Sequence, residues 1–255
     1  MTQIEQCHHL WRTVFGDSEE FMDLYFSRRY PKVQTFTSGQ DGIIAAQAQC
    51  FIYNMTAAPG APMLTIGYVS GLATLPAYRH QGHASNVMHQ MHRWLNKHHI
   101  DYCLLIPATQ KAAQWYTTHF GYQGTSTHCK SLATPSQIAA CTPQPELTPH
   151  IIYIIQRHLA SLPYTVQHTA DDLRDQMAVC LMSGGGLYQT GDEHYFMAEK
   201  IATPHGEDRY MVLDTTEDYN LSGCQTNRVT TPLLFLPISN HTPLPDELHV
   251  SLMLD

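Results

Sequence analysis

The chain has 255 residues, which is enough to bury a sizeable core in one large domain or two smaller ones. Hydrophobic residues make up 43% of it and charged residues 14%, a composition typical of folded globular proteins and not of disordered ones. The formal net charge of -8 argues against a general binder of nucleic acid or of anionic membranes, because both need a basic surface.

The seven cysteines are scattered along the chain, and none forms the Cys-x-x-Cys pair typical of zinc or redox sites. The first 20 residues do not resemble a signal peptide, and no apolar run is long enough to span a bilayer. We therefore expect a cytoplasmic protein with reduced thiols and no membrane association.

The first half of the chain shows apolar residues at helical spacing alternating with runs typical of strands, which predicts a mixed α/β fold. In chain order, the predicted elements are helices 4–14 and 18–29, strands 33–37, 43–53 and 63–74, helix 82–98, strand 102–106 and helix 109–119.

Four prolines lie in TPSQIAACTPQPELTP, from Thr134 to Pro149, and we expect them to interrupt both helix and sheet pairing. The sequence thus predicts a first domain over 1–133, a linker over 134–149 and a second domain over 150–255. The second domain repeats a similar order in shortened form, with predicted helix 149–159, strand 164–168, helix 170–182 and three or four further strands.

The segment LATLPAYRHQGHASNVMHQMHRWL, residues 72–95, joins a predicted strand to a predicted helix. Free amides and the helix dipole at such a start attract phosphate, and Gly82 leaves room for it. No Gly-Lys-Ser/Thr and no Gly-x-Gly-x-x-Gly is present, so neither common nucleotide fingerprint applies. The alternatives are a pyrophosphate site and an ordinary tight turn.

LATLPAYRHQGHA resembles the acetyl-coenzyme-A binding motif of the GNAT acetyltransferases, Arg/Gln-x-x-Gly-x-Gly/Ala after a strand. Residues 102–106 resemble the family's fifth strand, and AAQWYTTHFGYQ resembles the helix that follows it, so the resemblance covers residues 1 to about 130. It implies a GNAT fold built on a mixed sheet.

A second resemblance concerns the whole chain. LWRTVFGDSEEFMDLYF, and YTVQHTADDLRDQMAVCLMSGGGLYQT in the second half, are similar to the tandem-GNAT group that includes the enhanced-intracellular-survival acetyltransferases. This implies a second, degenerate GNAT-like domain that lacks the cofactor turn.

The first resemblance also implies which residues bind acetyl-coenzyme A. Backbone amides of the turn would hold the pyrophosphate, and the end of the preceding strand would pair with the pantetheine arm. The Leu72 amide would face the thioester oxygen, where an oxyanion donor contributes about 3 kcal/mol. The implied set is Leu72, Ala73, Thr74, Arg79, His80, Gln81, Gly82, His83, Ala84 and Ser85.

Acetyl transfer to an amine also needs groups that move protons. The family uses a tyrosine four residues before a glycine to protonate the departing thiolate, and the candidate here is Tyr116. It lies five residues before Gly121, so that Thr117 falls at the usual position. Either a helix irregularity restores the tyrosine, or Tyr116 is a core aromatic.

The strand 63–74 carries no carboxylate that could serve as the general base. The base would then be a water chain, a residue from elsewhere, or the terminal carboxylate of Asp255, which ends the predicted final strand SLMLD. His80 with His83, and His89 with His92, have a spacing that could share a metal, but no third ligand is indicated and we expect no metal site.

Two function classes follow. The first is an N-acetyltransferase that moves acetyl directly from acetyl-coenzyme A to a primary amine of a small molecule or peptide, without a covalent enzyme intermediate. Its acceptor would lie between the first two helices, around Phe15 to Tyr30, and near Tyr68. The second is a non-catalytic acyl-coenzyme-A binding or sensing protein. An oligomer is compatible with both.

Overall fold

A computed structural model of the chain describes residues 1–202, 208–215, 227–239 and 244, and these residues form two compact units. Unit 1 consists of the described residues of Met1–Asn54, Leu64–Gly124 and Leu233–Leu244. Unit 2 consists of Met55–Met63 and the described residues of Thr125–Pro232.

Unit 1 contains four α-helices and most of the elements predicted in the first half of the chain. Its elements are α1 (Gln3–Phe15), α2 (Glu19–Leu24), β1 (Gln34–Gln40), β2 (Ile43–Met55), β3 (Leu64–Thr74), α3 (His83–Lys97), β4 (Tyr102–Leu105), α4 (Gln110–Phe120) and the end of β11 (Asn227–Pro237). The predicted helix 18–29 is wrong in its second half, where a π-helical turn (Tyr25–Arg29) leads into a short 3-10 turn (Tyr30–Lys32).

The sheet of unit 1 has the strand order β1-β2-β3-β4-β11. β1 pairs antiparallel with β2, β3 pairs parallel with β4, and β11 pairs antiparallel with β4, so the sheet is mixed as predicted. The β3–β4 ladder runs from Ile66 opposite Tyr102 to Tyr68 opposite Leu104. β3 continues to Thr74, six residues beyond the last of these pairs, which places its end next to the α3 start.

Both faces of this sheet are covered. On one face, α3 contributes a fully buried stripe that packs on β2 and β4, formed by Val87, Met88, Met91 and Leu95 together with Ala46, Ala48, Cys50 and Cys103. The alternate residues of β2 face the other way, where α1 buries Cys7, Leu10 and Trp11. This alternation is the period of two that a strand imposes on its side chains.

Unit 2 contains the remaining elements. They are β5 (Gln123–Ala133), α5 (Pro135–Ala139), β6 (Thr142–Gln144), α6 (Pro149–Ser161), β7 (Val166–Gln167), α7 (Ala170–Met182), β8 (Gly186–Gln189), β9 (Tyr195–Ala202) and β10 (Asp208–Thr215). The strand order in its sheet is β5-β10-β9-β8-β6, and α6 and α7 bury apolar residues against β8 and β9.

The expectation that the prolines of 134–149 interrupt both helix and sheet pairing is wrong for α5 and β6. Pro135 is the first residue of α5, a position whose amide has no helical partner in any case. Pro143 lies in β6, the last strand in the sheet order, where one side of the strand needs no partner. The domain limits at 133 and 150 remain predictions.

The helices of the described part of the chain include none that is both long enough and apolar enough to cross a membrane.

Candidate functional site

The start of α3 differs from the start of every other α-helix in the described residues. Six helices begin with a Ser or Thr whose side-chain oxygen accepts a backbone amide, namely Thr2, Ser18, Thr109, Thr134, Thr148 and Thr169. α3 begins after Gly82 and has no side-chain cap. Its first amides are therefore left for another partner.

The turn before α3 adds further amides to this group. The first hydrogen bond of the helix runs from the Asn86 amide to the Gly82 carbonyl, at 2.9 Å. Within the described residues, the six amides from His80 to Ser85 donate to no protein acceptor. His80 and Gly82 have left-handed φ values of 63° and 84°. Successive amides in such a conformation form a concavity that binds anions, and nothing lies within 4 Å of a Cβ built on Gly82.

Side-chain hydrogen bonds connect this turn and the start of α3 to neighbouring strands. His83 Nδ1 lies 3.0 Å from Ser38 Oγ on β1, and the Asn86 side-chain amide donates to the same hydroxyl at 3.1 Å. Arg79 is exposed, and its Nε donates to the Thr74 carbonyl at 3.4 Å. The predicted cofactor residues 79–85 thus lie together on one continuous turn.

The other predicted cofactor residues lie at the end of β3. Leu72 and Thr74 are half-buried and Ala73 is buried, all beyond the residues that pair with β4. The residue before them, Gly71, has φ +61°, the left-handed glycine typical of a β-bulge. Five residues, 75–79, separate the end of β3 from the amides of 80–85.

Tyr116 lies in α4, which runs as an α-helix from Gln110 to Phe120 and ends at a left-handed Gly121. Its side chain is 8% exposed and contacts Trp115 and Tyr122 edge-on, with ring centroids 4.9 Å and 5.6 Å apart. Burial, with a smaller effect of Cys103, raises the pKa of Tyr116 well above its usual range, so the hydroxyl stays protonated at neutral pH. Because α4 has no irregularity, Thr117 keeps the position four residues before Gly121, and it is exposed.

The predicted acceptor region between α1 and α2 is filled by aromatic rings. The Trp11 ring lies 4.5 Å from Tyr25 and 4.8 Å from Phe15, measured between centroids. Its indole nitrogen donates to Asp17 Oδ2 at 2.7 Å. Tyr68, on β3, is 3% exposed.

Two glutamines on β2 were not singled out by the sequence analysis, although both are fully buried on the α1 side of the strand. Gln47 Nε2 donates to the Cys7 carbonyl at 3.1 Å, and Gln49 Nε2 lies 3.5 Å from Gln47 Oε1. Gln49 Oε1 accepts no hydrogen bond from the described residues. The available signal was the pair of polar residues at i and i+2 in an otherwise apolar strand, AAQAQCF.

Among the described residues, no three His, Cys, Asp or Glu side chains are close enough together to hold a metal ion.

His92 Nε2 lies 3.0 Å from the Tyr122 hydroxyl, which in turn donates to Cys103 Sγ at 3.0 Å. Burial, and secondarily His89, lowers the pKa of His92 to about 4, so it is neutral at physiological pH. Asp255, the predicted base, lies outside the described residues.

Comparison with known proteins finds a family model that matches the first half of the chain. Residues 1–123 match the family model described as an acetyltransferase (GNAT) domain. No curated protein matches the sequence significantly.

Solved structures share the fold at low sequence identity. A GCN5-related N-acetyltransferase from Anabaena variabilis is 13% identical, with a TM-score of 0.68 over 94% of this chain and 71% of that one. A probable N-acyltransferase from Enterococcus faecalis is 10% identical, with a TM-score of 0.64 over 93% and 71%. Eis1 from Mycobacterium abscessus is 14% identical, with a TM-score of 0.53 over 78% and 51%.

Proposed function

We propose that the protein transfers an acetyl group from acetyl-coenzyme A directly to a primary amine, because residues 1–123 match the model of an acetyltransferase (GNAT) domain. The acceptor is a small-molecule or peptide amine, and the reaction uses no metal. The observation that carries this proposal is the run of six unpartnered amides from His80 to Ser85, which matches the need of a pyrophosphate for several convergent donors.

The residues of the site fit acetyl-coenzyme A at two points. The turn of 80–85 offers amides, an open position at Gly82 and the positive end of a 15-residue helix to the pyrophosphate. The end of β3, from Leu72 to Thr74, offers main-chain groups to the amide-containing pantetheine arm. Acetyl-coenzyme A supplies the acetyl group as an activated thioester.

Two groups of the chain would assist the reaction. The Leu72 amide donates to the thioester carbonyl oxygen and stabilises the negative charge that develops there, an effect of about 3 kcal/mol. Tyr116 is the candidate donor of the proton that the departing thiolate needs, and burial raises its pKa, which makes it a weaker acid than an exposed tyrosine. Since β3 carries no carboxylate, water or a residue from another segment, such as the terminal carboxylate of Asp255, removes the proton of the amine.

We propose further that the chain is a tandem protein in the cytoplasm, with a catalytic domain over 1–133, a linker over 134–149 and a second, degenerate GNAT-like domain over 150–255. The structural likeness to longer GNAT proteins over 93–94% of this chain supports this. So do the capped starts of α6 and α7, because Thr148 and Thr169 occupy the amides that a cofactor would need.

Isothermal titration with acetyl-coenzyme A tests the cofactor site. We expect wild-type protein to bind, and Gly82→Glu to lose at least about 10-fold in affinity, because its carboxylate repels the pyrophosphate. The matched control is Gly42→Glu, which adds the same charge at a left-handed glycine, φ +77°, with the same open surroundings. Equal binding by all three proteins, or binding by none, would contradict the proposed site.

A non-catalytic acyl-coenzyme-A sensor is the second candidate, favoured by the absence of a carboxylate on β3 and by the burial of Tyr116 in the core. Mass spectrometry of reactions with a panel of primary amines separates the two. Formation of any N-acetylated product excludes the sensor, whereas binding of acetyl-coenzyme A without product across the panel favours it.

A further inference from the structure

Gln49 carries a buried carbonyl oxygen for which the described residues provide no donor. The residue lies in the middle of β2 and is 0% exposed. Among the described residues, its Nε2 donates one hydrogen bond, to Gln47 Oε1 at 3.5 Å. An acceptor that is buried without a donor lowers stability, and its retention in a folded protein requires an explanation such as a ligand or a bound water.

The position of this oxygen relates it to the acetyl site. Gln49 Oε1 lies 2.5 Å from the place that a Cβ on Gly71 would occupy, and Trp11 Cζ3 lies 2.3 Å from the same place. Gly71 therefore allows the oxygen to approach the backbone of β3 directly. The next residue along β3 is Leu72, whose amide is proposed to bind the thioester oxygen.

We propose that Gln49 binds the acceptor amine. Its Oε1 accepts an N–H hydrogen bond from the amine and so directs the nitrogen lone pair toward the thioester carbon beside Leu72. A neutral carbonyl accepts from an ammonium and from a free amine alike, so Gln49 orients the nucleophile and a different group removes its proton. This inference rests on the proposed acetyl transfer.

The edge of the Trp11 ring and Gln49 Oε1 lie next to the same point, the Cβ position of Gly71, at 2.3 Å and 2.5 Å. The ring is held by its hydrogen bond to Asp17, in the connection between α1 and α2. The region in which the sequence places the acceptor, around Phe15 to Tyr30, is the one that surrounds this ring.

The test compares Gln49→Met with Gln47→Met. Both replace a fully buried glutamine on the same face of β2 by an unbranched apolar side chain of similar length. Gln47 has hydrogen bonds at both ends of its amide, whereas Gln49 has an unpaired oxygen. Spermidine, lysine and n-butylamine serve as acceptors, N-acetylated product is measured by mass spectrometry, and acetyl-coenzyme A binding is measured by titration.

We expect Gln49→Met to lower kcat/KM for the amine by about 10- to 100-fold, the factor carried by one hydrogen bond to a charged group. Its affinity for acetyl-coenzyme A should stay within about 2-fold of wild type and its melting temperature should not fall below that of Gln47→Met. Gln47→Met should melt at a lower temperature than wild type, and its kcat/KM per folded molecule should fall by less than that of Gln49→Met, because it removes the Gln49 Nε2 partner but keeps the Gln49 oxygen.

Wild-type turnover with unchanged kcat/KM in Gln49→Met would overturn this inference alone and leave the acetyltransferase proposal intact. The same holds if Gln49→Met loses activity only in proportion to its folded fraction, because that is a structural role. Absence of product from wild-type protein with all three amines would overturn both.

Discussion

At the scale of single residues, Gly71 links three parts of the candidate site. It occupies a left-handed conformation inside β3, precedes Leu72 and leaves room for both the Trp11 ring and Gln49 Oε1. A side chain at this position meets two obstacles at once. Its backbone conformation is strained for an L-residue, and its Cβ enters space already filled by an aromatic ring that is itself packed on Tyr25.

We expect Gly71→Ala to lower the free energy of unfolding by about 3 kcal/mol, which combines backbone strain with overpacking. Urea unfolding monitored by circular dichroism measures the change. Gly42→Ala isolates the backbone contribution, because Gly42 has φ +77° and nothing within 4 Å of its Cβ position. Equal decreases in the free energy of unfolding of the two variants would show that the Trp11 and Gln49 side chains move to make room for the new methyl group without lowering stability.

At the scale of elements, α4 holds its residues in a fixed register, so the role of Tyr116 depends on where the helix places it. Tyr116→Phe keeps the ring in the core and removes only the hydroxyl. If Tyr116 protonates the thiolate, we expect kcat to fall by about 100-fold, within the range for loss of a general acid, while acetyl-coenzyme A affinity is unchanged.

The control is Tyr122→Phe, because Tyr122 is also buried and its hydroxyl is bonded to Cys103 and His92. We expect this variant to lose about 1 kcal/mol of stability and no activity per folded molecule. Steady-state kinetics and urea unfolding of both variants give the comparison. Full activity of Tyr116→Phe would assign Tyr116 to the core.

The elements of unit 1 could be predicted closely where one physical signal dominates. The apolar stripe of α3 predicts its helix because 3.6-residue periodicity is unambiguous over 15 residues. The π-helical turn after Leu24 could not be predicted, since YFSRR continues the same apolar period as α2. Tyr116 was expected from a motif, but its burial depends on contacts with Tyr122 that no local pattern contains.

The left-handed conformation of Gly71 and the unpaired oxygen of Gln49 also lie beyond sequence reasoning, for a related reason. A glycine in a strand signals a close approach without identifying the approaching group. The partner here is Trp11, 60 positions earlier in the chain, and it is brought to Gly71 only when α1 covers the sheet. The turn of residues 80–85 was predictable because all of its amides are local.

At the scale of the whole molecule, unit 1 is not a continuous stretch of chain. The described residues of Leu233–Leu244 belong to unit 1, although the predicted catalytic domain ends at 133. Leu234 to Pro237 of β11 pair with β4, and the Ile238 amide donates to the Asp101 carbonyl at 2.9 Å. Leu233, Leu234 and Phe235 are buried, with 0%, 5% and 5% of their surface exposed.

A fragment of residues 1–133 is therefore expected not to fold stably by itself. It lacks three buried side chains worth about 2 kcal/mol each, and their sum of about 6 kcal/mol is comparable with the whole stability of a typical domain. It also leaves β4, with its fully buried Cys103 and Leu104, as an exposed edge prone to aggregation. Near-ultraviolet circular dichroism should show no fixed aromatic packing in this fragment.

Joining residues 227–239 to its carboxyl end through a flexible Gly/Ser linker should restore both the spectrum and the binding of acetyl-coenzyme A, because the antiparallel neighbour of β4 is then present. A cooperative unfolding transition in the unextended fragment would show instead that α1 to α4 and the first four strands hold the cofactor turn without β11.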